Sequence, residues 1–234
     1  MLTIAHRGAS ARYPENTLRA FIAAAEMGAD MCEFDVRMAR DGEVVVIHDA
    51  TVNRTTDGRG RVAAMTAVEL GRLDAGVRFG QEFRGERIPT LAQVATALSE
   101  RGCGMDVELK AQGLERRVCE VLRKSGAAER AIVSSFDWKQ LRLVAAEDPS
   151  VRLALLAENH PVALLQAAAE MQAFAIAPRF DIADAGLCAA AHRGGIAVYV
   201  WTVDDAAEMR RLIASGVDGI MTNDPQGLRA VLNG

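Results

Sequence analysis

Apolar residues along this chain alternate between short β-rich runs and longer stretches with helical spacing. Strand-like runs occupy 2–5, 31–36, 43–48, 104–109, 131–135, 151–156, 173–177, 196–201 and 217–221. Helix-like stretches fall near 17–27, 90–101, 113–125, 137–147, 161–170, 183–193, 204–214 and 225–232. Strands that alternate with helices predict a parallel sheet wrapped by helices. Gly28, Gly126, Gly194 and Gly216 stand where helices end, and Asp224-Pro225 reads as an N-cap followed by proline at the first helical position.

Nine strand candidates are one too many for an eight-stranded barrel. The segment between 36 and 43 is too short for a helical crossover, and its Asp41-Gly42 pair is a strong hairpin signal. Residues 43–48 are therefore predicted to return antiparallel from 31–36. Eight strand–helix units remain in 234 residues, which predicts a (β/α)8 TIM barrel and a single catalytic domain over 1–234. Residues 51–88 break the repeat, with Thr-, Arg- and Gly-rich stretches and one short helical pattern near 66–73. A connection this long inside a compact domain is usually functional, so it is expected to form a small insertion subdomain over the C-terminal mouth.

Composition narrows the partners. Half of the residues are apolar and a quarter are charged with mixed sign, which excludes a disordered chain. With 27 basic against 31 acidic residues, there is no surplus of positive charge for nucleic acid or an anionic membrane. No apolar run approaches the roughly 20 residues of a membrane helix. The opening Met1-Leu2-Thr3-Ile4-Ala5 lacks the basic start of a signal peptide. Cys32, Cys103, Cys119 and Cys188 have no CxxC spacing and read as buried free thiols. The expectation is a cytoplasmic protein with a small-molecule substrate, no nucleic-acid partner and no stable membrane association. A monomer and a homo-oligomer stay equally open, because outer helices look alike in both.

Barrel chemistry collects at the carboxyl ends of the strands. There the chain places His6-Arg7, Glu33-Phe34-Asp35, Glu108-Leu109-Lys110, Ser134-Ser135-Phe136 and Val200-Trp201-Thr202. The two-residue period of a strand puts Glu33 and Asp35 on one face, and Glu108 and Lys110 on one face. A two-residue turn at 41 and 42 would set position 35 opposite 48, bringing His48 beside Asp35. Three inward carboxylates need a cation to stay ionised together, and oxygen ligands select Mg2+, Ca2+ or Mn2+ over zinc. Arg7 and Lys110 suit an anionic substrate such as a phosphate, and two histidines suit paired general acid and base. Together these describe cleavage of a phosphoryl–oxygen bond.

Less specific residues have plainer readings. Asn16 and Thr17 are expected to cap a helix, and Asp106 to support the carboxylates from below. Arg54 and Arg59 read as solvated, His160 as a loop residue, and His192 as a partner of a helix dipole. Trp138 is expected to start a helix and pack, and Phe136 to line the pocket.

These residues also carry a resemblance. HRGAS, PENT, GADMCEFDV, VVIHD, RTTDGRG, LDAG, RGERIPTL, DVELK, VSSF, VWTVD and DGIMTNDP, in that order, resemble the glycerophosphodiester phosphodiesterase family nearly end to end. Ala9, where that family often has glycine, removes no chemical group. The resemblance implies a metal-dependent barrel hydrolase that converts glycerophosphodiesters to glycerol 3-phosphate and an alcohol. It implies Glu33, Asp35 and Glu108 as ligands of one divalent cation (Mg2+ or Ca2+, with Mn2+ also suited). It implies His6 and His48 as the acid–base pair, Arg7 and Lys110 as phosphate contacts, and Trp201 as a glycerol-side aromatic. It further implies that a glycerol hydroxyl attacks first and that water then opens a cyclic phosphate. Two alternatives stand beside it: a phosphodiesterase acting on intact phospholipid, and a barrel that binds phosphodiesters without turnover.

Overall fold

The structure, a computed structural model, describes residues 1–234. The strands are β1 (Leu2–His6), β2 (Met31–Met38), β3 (Val44–Val46), β4 (Gly104–Leu109), β5 (Ala131–Ser135), β6 (Arg152–Ala157), β7 (Ala175–Pro178), β8 (Ala197–Val200) and β9 (Gly219–Thr222). The helices are α1 (Leu18–Glu26), α2 (Ala67–Leu70), α3 (Leu91–Ser99), α4 (Glu115–Lys124), α5 (Trp138–Glu147), α6 (Pro161–Glu170), α7 (Ala185–Arg193), α8 (Ala206–Ser215) and α9 (Pro225–Asn233). All strands except β3 run parallel, in the order β1-β9-β8-β7-β6-β5-β4-β2, and β1 pairs with β2 to close the ring. The fold is a (β/α)8 TIM barrel, and β3 is the antiparallel arm returning from β2.

Strand alternation divides the interior in two. Outward residues such as Ala5, Cys32, Phe34, Val36, Met105, Val107 and Leu109 join the large apolar cluster between sheet and helices. Inward residues Ile4, Met31, Ile132, Ala154, Leu156, Ala175, Ala177, Tyr199 and Met221 fill the barrel's floor. Gly219 is required there, because a Cβ would stand 2.8 Å from the Tyr199 ring and 3.0 Å from Ile4. The floor is apolar, so inward polar residues further along the same strands lie above it, at the carboxyl-terminal mouth.

The hairpin register differs from the expected one. Val36, Arg37 and Met38 pair with Val46, Val45 and Val44, and the Ile47 amide donates to the Asp35 carbonyl. Asp35 therefore faces Ile47, one residue short of His48. The cause is the turn. Ala39 and Glu43 flank a three-residue loop, 40–42, with Gly42 left-handed at φ 82°. This is the type I turn plus bulge that glycine favours, and it consumes one residue more than a two-residue turn.

Residues 51–88 carry short 3-10 turns and α2, whose Thr66 forms a capping box with Glu69. Val52, Val62, Leu70, Ala75 and Ile88 bury themselves with Ala39, Val45 and Ile47 of the hairpin. The segment thus sits on β3 through an apolar cluster of its own. No helix is long and apolar enough to cross a membrane, and all four cysteines are buried free thiols.

Candidate active site

Parallel register brings the acids to one level. Glu33 stands beside Asp106, Asp35 beside Glu108, and His6 beside Glu33 on the neighbouring strands. The mouth above the apolar floor holds a cavity of about 240 Å³. His6, Arg7, Glu33, His48, Glu108, Lys110, Phe136 and Trp201 all line it, with Asp35 fully buried just behind. Every residue singled out for the site is thus brought together.

Glu33, Asp35 and Glu108 each offer an oxygen, and the three oxygens lie within 4.8 Å of one another. Glu33 Oε1 is buried without a hydrogen-bond partner, and Asp35 Oδ1 has only the Lys110 ammonium, at 3.4 Å. Buried carboxylate oxygens normally find a donor or a cation. Oxygen donors at this spacing, with lone pairs left over, fit a hard divalent cation held by these three side chains.

Electrostatics differ sharply among the acids. Burial, reinforced by Asp35 and Glu108, pushes the Glu33 carboxyl well above the ordinary range. Burial lifts Glu108 to about 7, with Asp35 adding to it, and burial lifts Asp106 to about 7 as well. Burial would raise Asp35 too, but Arg7, Lys110 and His48 outweigh it and hold Asp35 below its usual value. The contacts explain the contrast: Arg7 Nε lies 3.1 Å and Lys110 Nζ 3.4 Å from Asp35. Lys110 also pairs with Glu108.

Arg7 reaches this position through an unusual turn. It is left-handed at φ 55°, as is Gly8 at φ 83°, and a Cβ on Gly8 would stand 2.7 Å from the Ala20 backbone. Left-handed backbone costs a non-glycine residue roughly 1–2 kcal/mol. The Arg7 amide donates to the Glu33 carbonyl at 2.9 Å, which helps to hold the turn.

Each histidine is anchored through Nδ1. The His6 ring meets Asn223 Oδ1 at 2.8 Å, and burial, followed by the charge of Arg7, lowers its pKa. His48 Nδ1 donates to Asp49 Oδ1 at 2.7 Å. Both anchors are on Nδ1, and His6 Nε2 lies 3.9 Å from Glu33. His48 lies beyond the end of β3, where the ladder no longer dictates its orientation. Arg37 positions it instead, donating from Nε to the His48 carbonyl at 2.7 Å and from Nη1 to the Lys110 carbonyl at 2.9 Å.

Several plainer readings change. Thr17 does cap α1, but Asn16 is left-handed and buried, and its Nδ2 donates to Asp35 Oδ2 at 2.9 Å. Arg54 is no free surface cation: it binds Asp49 through Nε and Nη2 and Glu15 through Nη1 and Nη2. Since Glu15 also pairs with Arg7 at 3.1 Å, a chain of charges links Arg7 to His48 across the rim. His192 Nε2 donates to Asp218 Oδ2 at 2.8 Å at the end of α7, and His160 is an exposed N-cap of α6. Trp138 opens α5 and donates to the Leu156 carbonyl. Phe136 and Trp201 meet edge to face at 5.3 Å, forming an aromatic wall.

Sequence reading missed Arg37, Asp49, Asn223 and Asp204. Arg37 continues the inward period of Glu33 and Asp35, and Asn223 and Asp204 follow strand ends, so their positions carried a usable signal.

Known proteins resemble this chain along nearly its whole length. A sequence model of the glycerophosphoryl diester phosphodiesterase family matches residues 6–227. A glycerophosphodiester phosphodiesterase of Caldanaerobacter subterraneus is 40% identical over 232 residues, covering 97% of this chain and 96% of that one. The structure of an Oleispira antarctica phosphodiesterase in complex with the product sn-glycerol-3-phosphate matches with a TM-score of 0.93 at 30% identity, covering 99% of this chain and 96% of that one. A glycerophosphodiester phosphodiesterase from Agrobacterium tumefaciens matches with a TM-score of 0.87 at 31% identity, covering 97% and 98%. The chain belongs to the glycerophosphoryl diester phosphodiesterase family.

Proposed function

We propose that this enzyme hydrolyses water-soluble glycerophosphodiesters to glycerol 3-phosphate and an alcohol, using one divalent cation and two histidines. The observation that carries the reading is the convergence of three buried acids, two imidazoles and two fixed cations around one cavity. The product named for the Oleispira antarctica structure, sn-glycerol-3-phosphate, supports the substrate class.

Glu33, Asp35 and Glu108 would hold Mg2+, Ca2+ or Mn2+, which would polarise the phosphoryl group as a Lewis acid. Arg7 and Lys110 neutralise the phosphate oxygens and orient the diester. One histidine takes the proton of the attacking glycerol hydroxyl at Nε2, and the other protonates the departing alcohol oxygen. The histidines then exchange roles as water opens the cyclic phosphate. Trp201 and Phe136 present an apolar face to the glycerol carbons. Residues 51–88 act as a subdomain flanking this single catalytic domain. The four buried thiols support a cytoplasmic setting, where thiols stay reduced.

The test is a panel of glycerophosphodiesters and intact phospholipid micelles, with release of glycerol 3-phosphate followed enzymatically. Turnover of the soluble diesters with a transient cyclic glycerophosphate is expected. Turnover of micellar lipid alone would replace this reading with the phospholipase one, and tight binding without product would replace it with a binding barrel.

The raised carboxyls add a stability prediction. Glu33, Glu108 and Asp106 keep protons in the fold that the unfolded chain has released, so between the ordinary carboxyl range and about pH 7 the cation-free protein loses stability as pH rises. A bound cation supplies the missing positive charge and competes with those protons. Calorimetry should therefore show the gap in Tm between cation-loaded and chelator-treated protein widening from about pH 5 to about pH 8. A gap that is constant or narrows over that interval would contradict the assignment of the acids as ligands.

A further inference from the structure

Three loops meet behind His6. Asn223 follows β9, Asp204 follows β8, and Ser10 follows β1. Asn223 Nδ2 donates to Asp204 Oδ2 at 2.6 Å, and the Asn223 backbone amide donates to Asp204 Oδ1 at 2.8 Å. The Thr222 hydroxyl donates to the same Oδ1 at 2.8 Å. On its other side, Asn223 Oδ1 lies 2.8 Å from both His6 Nδ1 and Ser10 Oγ, and Ser10 Oγ is 2.7 Å from the His6 carbonyl.

Asp204 decides how the amide is turned, while Ser10, with its single hydroxyl proton, serves the His6 carbonyl and Asn223 Oδ1 in turn. A carboxylate only accepts, so Asp204 obliges the Asn223 side chain to turn its NH2 group towards it. The carbonyl oxygen of that amide must then face His6. An oxygen only accepts, so His6 Nδ1 must carry the proton. A turned-over amide would set its carbonyl against Asp204 and lose the bond.

The geometry points to Asp204 and Asn223 as positioning residues: we propose that they lock His6 in the tautomer protonated on Nδ1, leaving the Nε2 lone pair facing the carboxylate cavity. The proposal rests on the role given to His6 above. Neither residue touches the cavity's contents, and both act through the imidazole. The pair also fixes the ring's orientation, since the Asn223 backbone is itself bonded to Asp204 and its carbonyl accepts from the Ala11 amide at 3.0 Å.

The experiment is 15N NMR of the imidazole nitrogens, assigned to His6 by comparison with His6→Ala, with magnesium present and again in excess chelator. Neutral His6 in the wild-type protein is expected to carry its proton on Nδ1. Asn223→Leu and Asp204→Ala should shift the population towards protonation on Nε2 and lower kcat by about 10- to 100-fold, with KM little changed. The exchanged pair, Asp204→Asn with Asn223→Asp, keeps an acceptor facing His6 and a donor facing position 223, so it should restore both tautomer and kcat. If Asn223→Leu does not fold, Asp204→Ala and the exchanged pair decide the matter. A wild-type His6 protonated on Nε2, or folded single variants with unchanged tautomer and kcat, would overturn the proposal. Failure of the His6 role looks different: the tautomer changes as expected, yet His6→Ala turns over at the wild-type rate.

Discussion

Asp35→Asn is expected to abolish measurable turnover and weaken cation binding while leaving the barrel closed. Asp35 is fully buried, and it is the one carboxylate that touches Arg7, Lys110 and Asn16 together. An amide at this position keeps the shape but removes one of three anionic oxygens. Cation-based charge stabilisation of a phosphoryl transition state is worth several kcal/mol, so the loss in kcat should be on the order of 10³-fold or more. Stability should fall as well, because removing one partner of a buried ion pair costs about 3–5 kcal/mol. Isothermal titration with Mg2+ and Ca2+, a rate assay and a thermal melt read the three effects separately. Wild-type cation affinity in Asp35→Asn would remove this residue from the ligand set.

The second large effect concerns the histidines. His6→Ala and His48→Ala should each lose about 10²- to 10⁴-fold in kcat, the usual worth of a positioned proton-transfer group. Neither ring is counted among the oxygen ligands, so cation affinity should stay close to wild type. That separation is the useful part of the result, because the acid variants lose rate and cation affinity together. A double variant should lose little more than the worse single one if the two rings serve one concerted proton transfer. Retention of wild-type kcat by either single variant would exclude that histidine from proton transfer.

The barrel and most of its mouth were legible because both rest on short periods. Glu33, Asp35 and Arg37 alternate with Cys32, Phe34 and Val36, and the apolar set has to face the helices, so the acids turn inward whatever the loops do. Parallel pairing then aligns Asp35 with Glu108 without further information. The hairpin was harder to read. Asp41-Gly42 signals a turn, yet it does not say whether Gly42 closes a two-residue loop or the three-residue loop with a bulge that forms here. One residue of register would have turned the arm over, and His48 still reaches the cavity because it lies past β3, held by Arg37 and Asp49.

Asn16 and Arg54 show where local reading stops. Asn16 precedes a true N-cap, and nothing in the neighbouring residues reveals that its left-handed backbone carries the side chain to a strand 19 positions away. Arg54 belongs to the inserted segment, and its carboxylate partners, Glu15 and Asp49, come from two other loops. Such long-range charge pairs have no period to betray them. They follow only once the barrel has placed three loops on one rim.

The most direct measurement is the rate of glycerol 3-phosphate release from a soluble glycerophosphodiester by protein stripped with chelator and then titrated with Mg2+ or Ca2+. The account predicts no release at the start and saturable recovery with wild-type protein, but no recovery with Glu33→Gln, Asp35→Asn or Glu108→Gln at the same cation concentrations. Undiminished release in excess chelator, or equal recovery by those variants, would contradict it.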